Sequence, residues 1–271
     1  MKILLFFTLF TSLTLACPPV EKKIIETNII EDSIPISPTY TQGLIYSDGM
    51  IYESSGIYGE SKLLVIDPGR GTKKILNTLP DKIFAEGLTK LGENFYQFSW
   101  KEKIVFIYKN NNWNNPTELS FDGEAWGVTT HRNKLLLSNG SAQLLYLNPM
   151  SLEIEETIQV KQHTTPLESL NELEIVDGKI WANTWGSDKI YTIRADTGCV
   201  ETQLDLSQLH KLATRHAQTA PDYDPWEHVL NGIAYDRQKR EVYVTGKNWS
   251  KIFKLKLESV FSSKHDEFFM Y

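Results

Sequence analysis

Short runs of alternating apolar and polar residues, separated by turns, follow one another along almost the whole chain. The stretch YTQGLIYSDGMIYESSG, residues 40–56, contains two strand-like runs joined by Asp48-Gly49, a dipeptide typical of tight hairpins. The stretch LNELEIVDGKIWANTWGSDKI, residues 170–190, repeats this design around Asp177-Gly178. The pattern predicts an antiparallel β protein with few core helices.

A short motif recurs five times and consists of a polar or aromatic residue, usually Gly, and then an aliphatic residue. Its copies are Gln42-Gly43-Leu44, Glu86-Gly87-Leu88, Trp126-Gly127-Val128, Asn171-Glu172-Leu173 and Asn231-Gly232-Ile233. The intervals between copies are 44, 40, 45 and 60 residues, and a four-stranded propeller blade recurs at about 40–45 residues. The sequence therefore predicts an all-β fold, a five-bladed β-propeller with four-stranded blades around a central channel.

Two segments depart from the repeat. Residues 206–228 begin with a helical pattern and end with a loop-like one, so we expect an insertion that lengthens the last interval. Residues 24–37 look like a strand ahead of the first motif. We expect this strand to complete the fifth blade and close the ring, because open sheet edges need covering. One propeller domain is thus predicted over residues 17–271, after an N-terminal segment of residues 1–16.

The ends of the predicted hairpins converge on one mouth of the channel. In a hairpin, the start of the first strand and the end of the second lie at the same end of the sheet. The residues expected to ring the mouth are Gln42, Glu86, Trp126, Asn171 and Asn231. The residues expected just outside that ring are Glu53, Trp100, Trp185 and Lys247. A purely structural interpretation stays open, with channel amides that hold water and indoles that pack between blades.

The N-terminus has the features of an export signal. Lys2 precedes the apolar run of residues 3–15, and Ala16 fits a cleavage site. LTLAC also resembles a bacterial lipoprotein signal, in which Cys17 would be lipidated, although cleavage without lipid remains an alternative. A disulfide to Cys199, the second of the two cysteines, is a further alternative. We expect an exported protein, either periplasmic, membrane-anchored as a lipoprotein, or secreted.

Charge and residue spacing exclude several partners. The formal net charge of -6 provides no basic footprint for nucleic acid. The six histidines and two cysteines have no zinc-like spacing. We therefore expect no nucleic-acid partner, and we expect a monomer.

Five segments in order carry a family resemblance: YTQGL, YESSGIYGES, FAEGLTKLGENFYQFSW, LNELEIVDGKIWANTW and LNGIAYD…VYVTGKNW. Together they resemble the plant-type glutaminyl-peptide cyclotransferases, also found in bacteria, over about residues 25 to 257. The resemblance implies a five-bladed propeller that cyclises an N-terminal glutamine to 5-oxoproline and releases ammonia. It also implies that no zinc or other cofactor is required, with at most a structural cation in the channel near Glu86.

The resemblance further implies roles for individual residues. It places the catalytic acid/base on Glu53 of the YES motif. It places the substrate pocket on Gln42, Trp100, Asn171, Trp185 and Lys247, with Trp126 and Tyr40 as neighbours and Asn231 beside them. Tyr40 stands where the family usually has Phe. A tetrahedral oxyanion needs hydrogen-bond donors, and we expect Lys247 or Asn171 to supply them.

Two other functions remain as alternatives. One is a non-catalytic exported propeller that binds peptides or a partner protein, because a fold alone does not establish a function. The other is a metal-dependent lactonase, which the aromatic, carboxylate-poor mouth disfavours. Release of ammonia from a glutamine dipeptide would separate these functions.

Overall fold

The five sequence repeats correspond to five antiparallel sheets arranged as the blades of a β-propeller. The structure is a computed structural model that describes residues 16–261. The predicted fold class is therefore confirmed. No helix in that part of the chain is long and apolar enough to cross a membrane.

The strands follow one another in the order that the repeats predict. The segment before the first blade contains β1 (Glu21–Ile24), a 3-10 helix (Thr27–Ile29) and β2 (Ile30–Pro35). Blade 1 contains β3 (Thr41–Ser47), β4 (Met50–Ser55), β5 (Lys62–Asp67) and β6 (Thr72–Thr78). Blade 2 contains β7 (Ala85–Leu91), β8 (Asn94–Ser99), β9 (Ile104–Lys109) and β10 (Thr117–Ser120). Blade 3 contains β11 (Val128–His131), β12 (Lys134–Ser138), β13 (Gln143–Leu147) and β14 (Ile154–Gln159).

The second half of the chain adds two blades and two short interruptions. A small hairpin consists of β15 (Lys161–Gln162) and β16 (Thr165–Pro166). Blade 4 contains β17 (Leu170–Val176), β18 (Lys179–Thr184), β19 (Lys189–Ile193) and β20 (Val200–Asp205). The insertion contains α1 (Ser207–Thr214) and two 3-10 helices (Ala217–Thr219 and Pro225–His228). Blade 5 contains β21 (Leu230–Asp236), β22 (Glu241–Gly246) and β23 (Lys251–Lys256), and α2 (Leu257–Phe261) follows it.

The N-terminal segment closes the ring in two places. Strand β2 pairs antiparallel with β23 and becomes the outer strand of blade 5, as predicted. Strand β1 pairs parallel with β20, so blade 4 gains a fifth strand that the sequence pattern did not predict. The one strand expected over residues 24–37 is therefore divided, and its two parts cover the outer edges of two neighbouring blades.

A disulfide between Cys17 and Cys199 fastens the start of this segment to blade 4. Both residues are buried. The Cys17 backbone N–H also donates to the His163 carbonyl oxygen at 3.1 Å. A sulfur atom in a disulfide cannot carry a thioether-linked lipid, so the lipid predicted at Cys17 and this bond exclude each other. The signal predicted over residues 1–16 lies almost entirely outside the described residues.

The apolar core lies between the blades. Each cluster of buried side chains draws on two adjacent sheets; Ile45 and Leu63 of blade 1, for example, pack with Leu88 and Phe95 of blade 2. Inner strands are covered on both faces by neighbouring blades, so they are apolar on both sides. The mostly exposed outer strands, such as β6, keep the alternation of polar and apolar residues.

Motif glycines allow the inner strands to approach one another around the channel. A Cβ atom on Gly43 would lie 2.4 Å from the backbone nitrogen of Leu88, and one on Gly127 would lie 2.1 Å from the carbonyl oxygen of Asn171. Neither position has room for a side chain. The glycines are thus required for close backbone contact between blades.

Blade 4 has Glu172 in place of the motif glycine. The Glu172 carboxylate accepts backbone N–H hydrogen bonds from Leu44 of blade 1 at 3.1 Å and from Ile233 of blade 5 at 3.0 Å. Burial raises the pKa of Glu172 well above its ordinary value, and the two backbone donors oppose this rise. One fully buried side chain thereby joins the inner strands of three blades across the channel.

Candidate active site

Irregular pairing turns the motif residue of four inner strands toward the channel mouth. The register shifts lie between Thr41 and Gly43, Ala85 and Leu88, Leu170 and Leu173, and Leu230 and Ile233. A bulge of this kind adds a residue to one strand and redirects its side chain. As a consequence, Thr184 pairs with Leu170 rather than with the predicted partner Asn171.

A cavity of about 390 Å³ opens at this mouth. Its lining residues are Tyr40, Gln42, Phe84, Glu86, Trp100, Trp126, Asn171, Trp185 and Lys247. All five blades, or the segments that lead into them, contribute. The cavity is mainly aromatic at its rim and polar at its base, as expected of a small-molecule or peptide site.

Glu86 supplies a buried carboxyl group to the cavity. It is 5% exposed, and its Oε1 accepts a hydrogen bond from Nε2 of Gln42 at 2.9 Å. Burial raises the pKa of Glu86 well above its ordinary value; Lys247 opposes the rise, whereas Glu124 and Glu102 add to it. A carboxyl group in this environment exchanges protons nearer to neutral pH than a surface glutamate does.

Lys247 is the cation of the cavity. Its side chain is also 5% exposed, and its Nζ lies 4.6 Å from the centroid of the Tyr40 ring. Burial lowers the pKa of Lys247, while Glu86 and then Glu227 oppose that change. Glu86 and Lys247 thus stabilise each other's charged forms in a poorly solvated space.

Asn231 lies behind the cavity rather than in its wall. It is fully buried, and its Nδ2 donates to Oε1 of Gln42 at 2.8 Å and to the carbonyl oxygen of Thr41 at 2.9 Å. This contact directs the Gln42 amide nitrogen toward Glu86. The prediction that Asn231 belongs to the substrate pocket is therefore corrected: Asn231 orients a residue that does.

A single carboxylate holds two of the rim tryptophans. Oε1 of Glu124 accepts hydrogen bonds from the indole nitrogens of Trp100 at 2.6 Å and Trp126 at 2.9 Å. The Trp126 ring also lies against Gly140, where a Cβ atom would be 2.7 Å from Cη2 of the indole. These contacts fix the orientation of two cavity walls.

Asn171 presents an unused acceptor. The residue is 3% exposed, and its Oδ1 has no hydrogen-bond partner among the described residues. Its backbone oxygen accepts from Oγ of Ser138 at 2.5 Å, which fixes the main chain beneath it. A buried acceptor without a partner is costly unless a ligand or water supplies a donor.

Glu53, the predicted catalytic residue, does not line the cavity. Its carboxylate accepts hydrogen bonds from Oγ1 of Thr39 at 2.5 Å and Oγ1 of Thr41 at 2.7 Å, and it forms an ion pair with Lys73 at 2.8 Å. Glu53 pairs across the strands with Leu44, as predicted.

The position of Glu53 follows from this pairing. Cross-strand partners share one face of a sheet, and Leu44 packs between blades 1 and 5. The Glu53 side chain therefore enters the space between blades and not the mouth beside the indoles. The prediction that placed it there is wrong.

The sequence interpretation missed two lining residues, or their importance. Glu86 was considered only as a cation ligand, and Phe84 was not considered. The signal for Glu86 was nonetheless present, because it occupies the same position in its repeat as Gln42 and Asn171. Residues 16–261 contain no group of three or more His, Cys, Asp or Glu arranged to hold a metal ion.

A second cavity, of about 500 Å³, opens where the turns of the inner hairpins meet. Its wall includes Glu174, Lys90 and Thr129 but no tryptophan. The opposite ends of the same inner strands supply the aromatic cavity, so the two cavities lie at opposite mouths of the channel. The smaller one combines the buried acid, the buried cation and the aromatic walls.

Comparison with known proteins agrees with this arrangement. The glutamine cyclotransferase family model matches residues 3–257. This chain belongs to the glutamine cyclotransferase family.

Two relatives support the family assignment. The chain is 31% identical over 221 residues to a glutaminyl-peptide cyclotransferase of Arabidopsis thaliana, which covers 81% of this chain and 67% of the plant protein. The crystal structure of Myxococcus xanthus glutaminyl cyclase matches with a TM-score of 0.74 and 29% identity, over 88% of this chain and 97% of that one.

A more distant structure shares the fold alone. The crystal structure of a Bacteroides thetaiotaomicron protein of unknown function matches this cyclotransferase family member with a TM-score of 0.52 and 11% identity. The match covers 83% of this chain and 75% of that one.

Proposed function

We propose that the protein is a glutaminyl-peptide cyclotransferase, which converts the N-terminal glutamine of peptides or proteins into 5-oxoproline and releases ammonia. Membership of the family and the names of the plant and Myxococcus relatives support this function. The observation that carries it is the buried Glu86 carboxyl group, with Lys247 close enough to affect its pKa, inside an aromatic cavity.

The reaction requires one group that first accepts and then donates a proton. The substrate α-amine attacks the γ-carboxamide carbon, and the new C–N bond forms as the amine loses a proton. The old C–N bond then breaks, and the departing NH2 group gains a proton to leave as ammonia. A single carboxyl group within reach of both nitrogens can perform both transfers. We assign this role to Glu86, whose raised pKa suits it to hold the proton between the two steps.

Lys247 and Asn171 complete the site. The Lys247 ammonium group stabilises the negative charge that develops on the γ-carbonyl oxygen in the tetrahedral intermediate. The unpaired Oδ1 of Asn171 accepts an N–H of the bound glutamine. The surrounding rings exclude water and keep the glutamine side chain folded back on its own amine, so that positioning contributes to the rate.

Two glutamate variants test the assignment against each other. We expect Glu86→Gln to lower kcat/KM by about 10²- to 10⁴-fold, the usual contribution of general acid–base catalysis. Glu53→Gln should keep turnover close to wild type per folded molecule, because Glu53 contacts only groups outside the cavity. The assay measures ammonia released from Gln-Gln, with the folded fraction determined by near-UV circular dichroism.

Either opposite result would reject the assignment. Normal turnover of Glu86→Gln would remove its acid/base role, and loss of turnover in a folded Glu53→Gln protein would return that role to Glu53. A propeller that only binds peptides would release no ammonia in the wild type. Activity that disappears with a chelator would show that a metal ion takes part.

We also propose that the protein is exported and monomeric. The apolar N-terminal segment and the Cys17–Cys199 disulfide support export, because disulfides persist in oxidising compartments. Intact-mass analysis of the protein from its native membrane and soluble fractions tests the state of Cys17. A diacylglycerol adduct on Cys17 would exclude the disulfide. Light scattering after size exclusion tests the oligomeric state.

A further inference from the structure

The insertion between blades 4 and 5 adds a second indole beside the cavity. Trp226, in the 3-10 helix Pro225–His228, stacks on the cavity residue Trp185 with ring centroids 5.6 Å apart and an interplanar angle of 30°. Trp226 is 57% exposed and Trp185 is 45% exposed. The two rings form a continuous apolar surface at the rim.

The position of Trp226 is well determined by its surroundings. The Asp224 side chain accepts a hydrogen bond from the Trp226 backbone nitrogen at 2.9 Å. On the other side, Gly186 has a φ of +76°, and a Cβ atom there would lie 2.8 Å from Cζ3 of Trp226. The stacked geometry therefore requires glycine at this position, both for its backbone conformation and for space.

The helix that carries Trp226 is anchored to blade 5. Nδ2 of Asn248 donates to the carbonyl oxygen of Glu227 at 2.9 Å, and Nε1 of Trp249 donates to that of His228 at 2.8 Å. Asn248 and Trp249 directly follow the cavity residue Lys247. Blade 5 contributes only Lys247 to the cavity lining within the described chain, so the inserted helix supplies the rest of the rim on this side.

Negative charge flanks the indole pair. The Glu227 side chain hydrogen-bonds to the Tyr40 hydroxyl group, and Glu227 and Asp224 both act electrostatically on that group. Consecutive residues of the inserted helix thus contact two different rim residues, Trp185 through Trp226 and Tyr40 through Glu227. The resulting surface is apolar in its centre and acidic at its edge.

The bound substrate must continue past this surface. Its glutamine occupies the cavity beside Glu86, and the rest of the peptide leaves through the mouth. Trp185 is the exposed member of the lining set, and the other lining residues are buried or half-buried. The outward path is therefore most open beside Trp185.

We propose that the Trp185–Trp226 pair is a subsite for the side chain that follows the N-terminal glutamine. An aromatic or large aliphatic side chain stacks on the indoles there, and the carboxylates of Asp224 and Glu227 disfavour an acidic one. This inference rests on the proposed cyclotransferase function and names the peptides that the site prefers.

The test compares kcat/KM for the amides of Gln-Phe, Gln-Gly and Gln-Glu. We expect wild type to prefer them in that order. Trp226→Ala should lower the ratio of Gln-Phe to Gln-Gly by about three- to tenfold, the effect of losing one aromatic contact. Trp226→Phe, which keeps a ring, should restore most of the ratio. If Trp226 only supported the fold, both substrates would be affected equally and the ratio would stay constant.

A control variant and the assay itself separate the outcomes. Ile75→Ala removes an apolar side chain of similar exposure, 53%, from β6 on the outer edge of blade 1, and should leave the ratio unchanged. Ammonia from all three substrates with no dependence on the second residue, or a ratio unaffected by Trp226→Ala, overturns the subsite and leaves the enzyme activity established. A wild-type protein that releases no ammonia from any of them overturns both proposals.

Discussion

Removal of the Cys17–Cys199 disulfide should destabilise the propeller without dismantling its ring closure. The bond joins residues that are 182 positions apart, so it encloses the first three blades and most of the fourth in one covalent loop. In the chain-entropy description, closing a loop of this length lowers the entropy of the unfolded chain by an amount worth roughly 5 kcal/mol at 25 °C.

The measured loss should be smaller than this upper figure. Strands β1 and β2 still pair with β20 and β23 when the sulfur atoms are separated, so the folded state keeps its closed ring. Measured disulfide contributions are typically about 2–4 kcal/mol. For the variant Cys17→Ala/Cys199→Ala we expect a loss of about 3 kcal/mol. With an m-value of about 3 kcal/mol/M, the urea midpoint should fall by about 1 M.

The assay is urea unfolding followed by tryptophan fluorescence, with and without dithiothreitol. Wild type should lose stability on reduction, whereas the double variant should give the same midpoint in both conditions. The reasoning is refuted if reduction leaves the wild-type midpoint unchanged, or if a thiol reagent detects two free cysteines in the unfolded, non-reduced protein.

Three further predictions concern other parts of the molecule. Burial raises the pKa of Glu174 from 4.5 to about 8, so the folded state holds a proton that the unfolded chain releases; stability should fall as pH rises from about 5 to 8, and Glu174→Gln should flatten this slope in denaturation curves. Glu124→Leu removes the acceptor of both indole N–H groups and should raise KM for Gln-Gly about tenfold, with a smaller effect for Glu124→Gln. Gly127→Ala would place Cβ 2.1 Å from the Asn171 oxygen and should cost about 1–3 kcal/mol of stability, whereas Gly69→Ala, whose nearest contact is 3.3 Å, should have little effect by thermal unfolding.

The sequence alone was sufficient for the architecture because the relevant signals are local. Alternating apolar residues and hairpin turns specify strands, and their recurrence specifies five blades. The strand before the first motif had no partner nearby in sequence, so its pairing with the last blade could be predicted from the need to cover an edge. Its division into β1 and β2, and the disulfide at Cys17, depend on its path across two blades and had no local signal.

The site depended on tertiary structure at one decisive point. Glu53 and Glu86 both lie in strands close to the same mouth, and the sequence offered each as a functional residue. Successive side chains of a strand point to opposite faces, so a bulge of one residue changes what a side chain meets. The inner strand of blade 2 has a bulge at Glu86, whereas Glu53 remains in regular pairing with Leu44 and faces the neighbouring blade.

The rim was decided in the same way. Phe84, Glu124 and Trp226 lie outside the regular strands, where no hydrophobic period indicates the direction of a side chain. Their positions follow from contacts with residues distant in sequence, such as the stacking of Trp226 on Trp185. The sequence by itself determined the number of blades and the mouth at which they converge, since strand periodicity is a property of short segments. Only the packing of one blade against the next decided which carboxyl group faces the substrate.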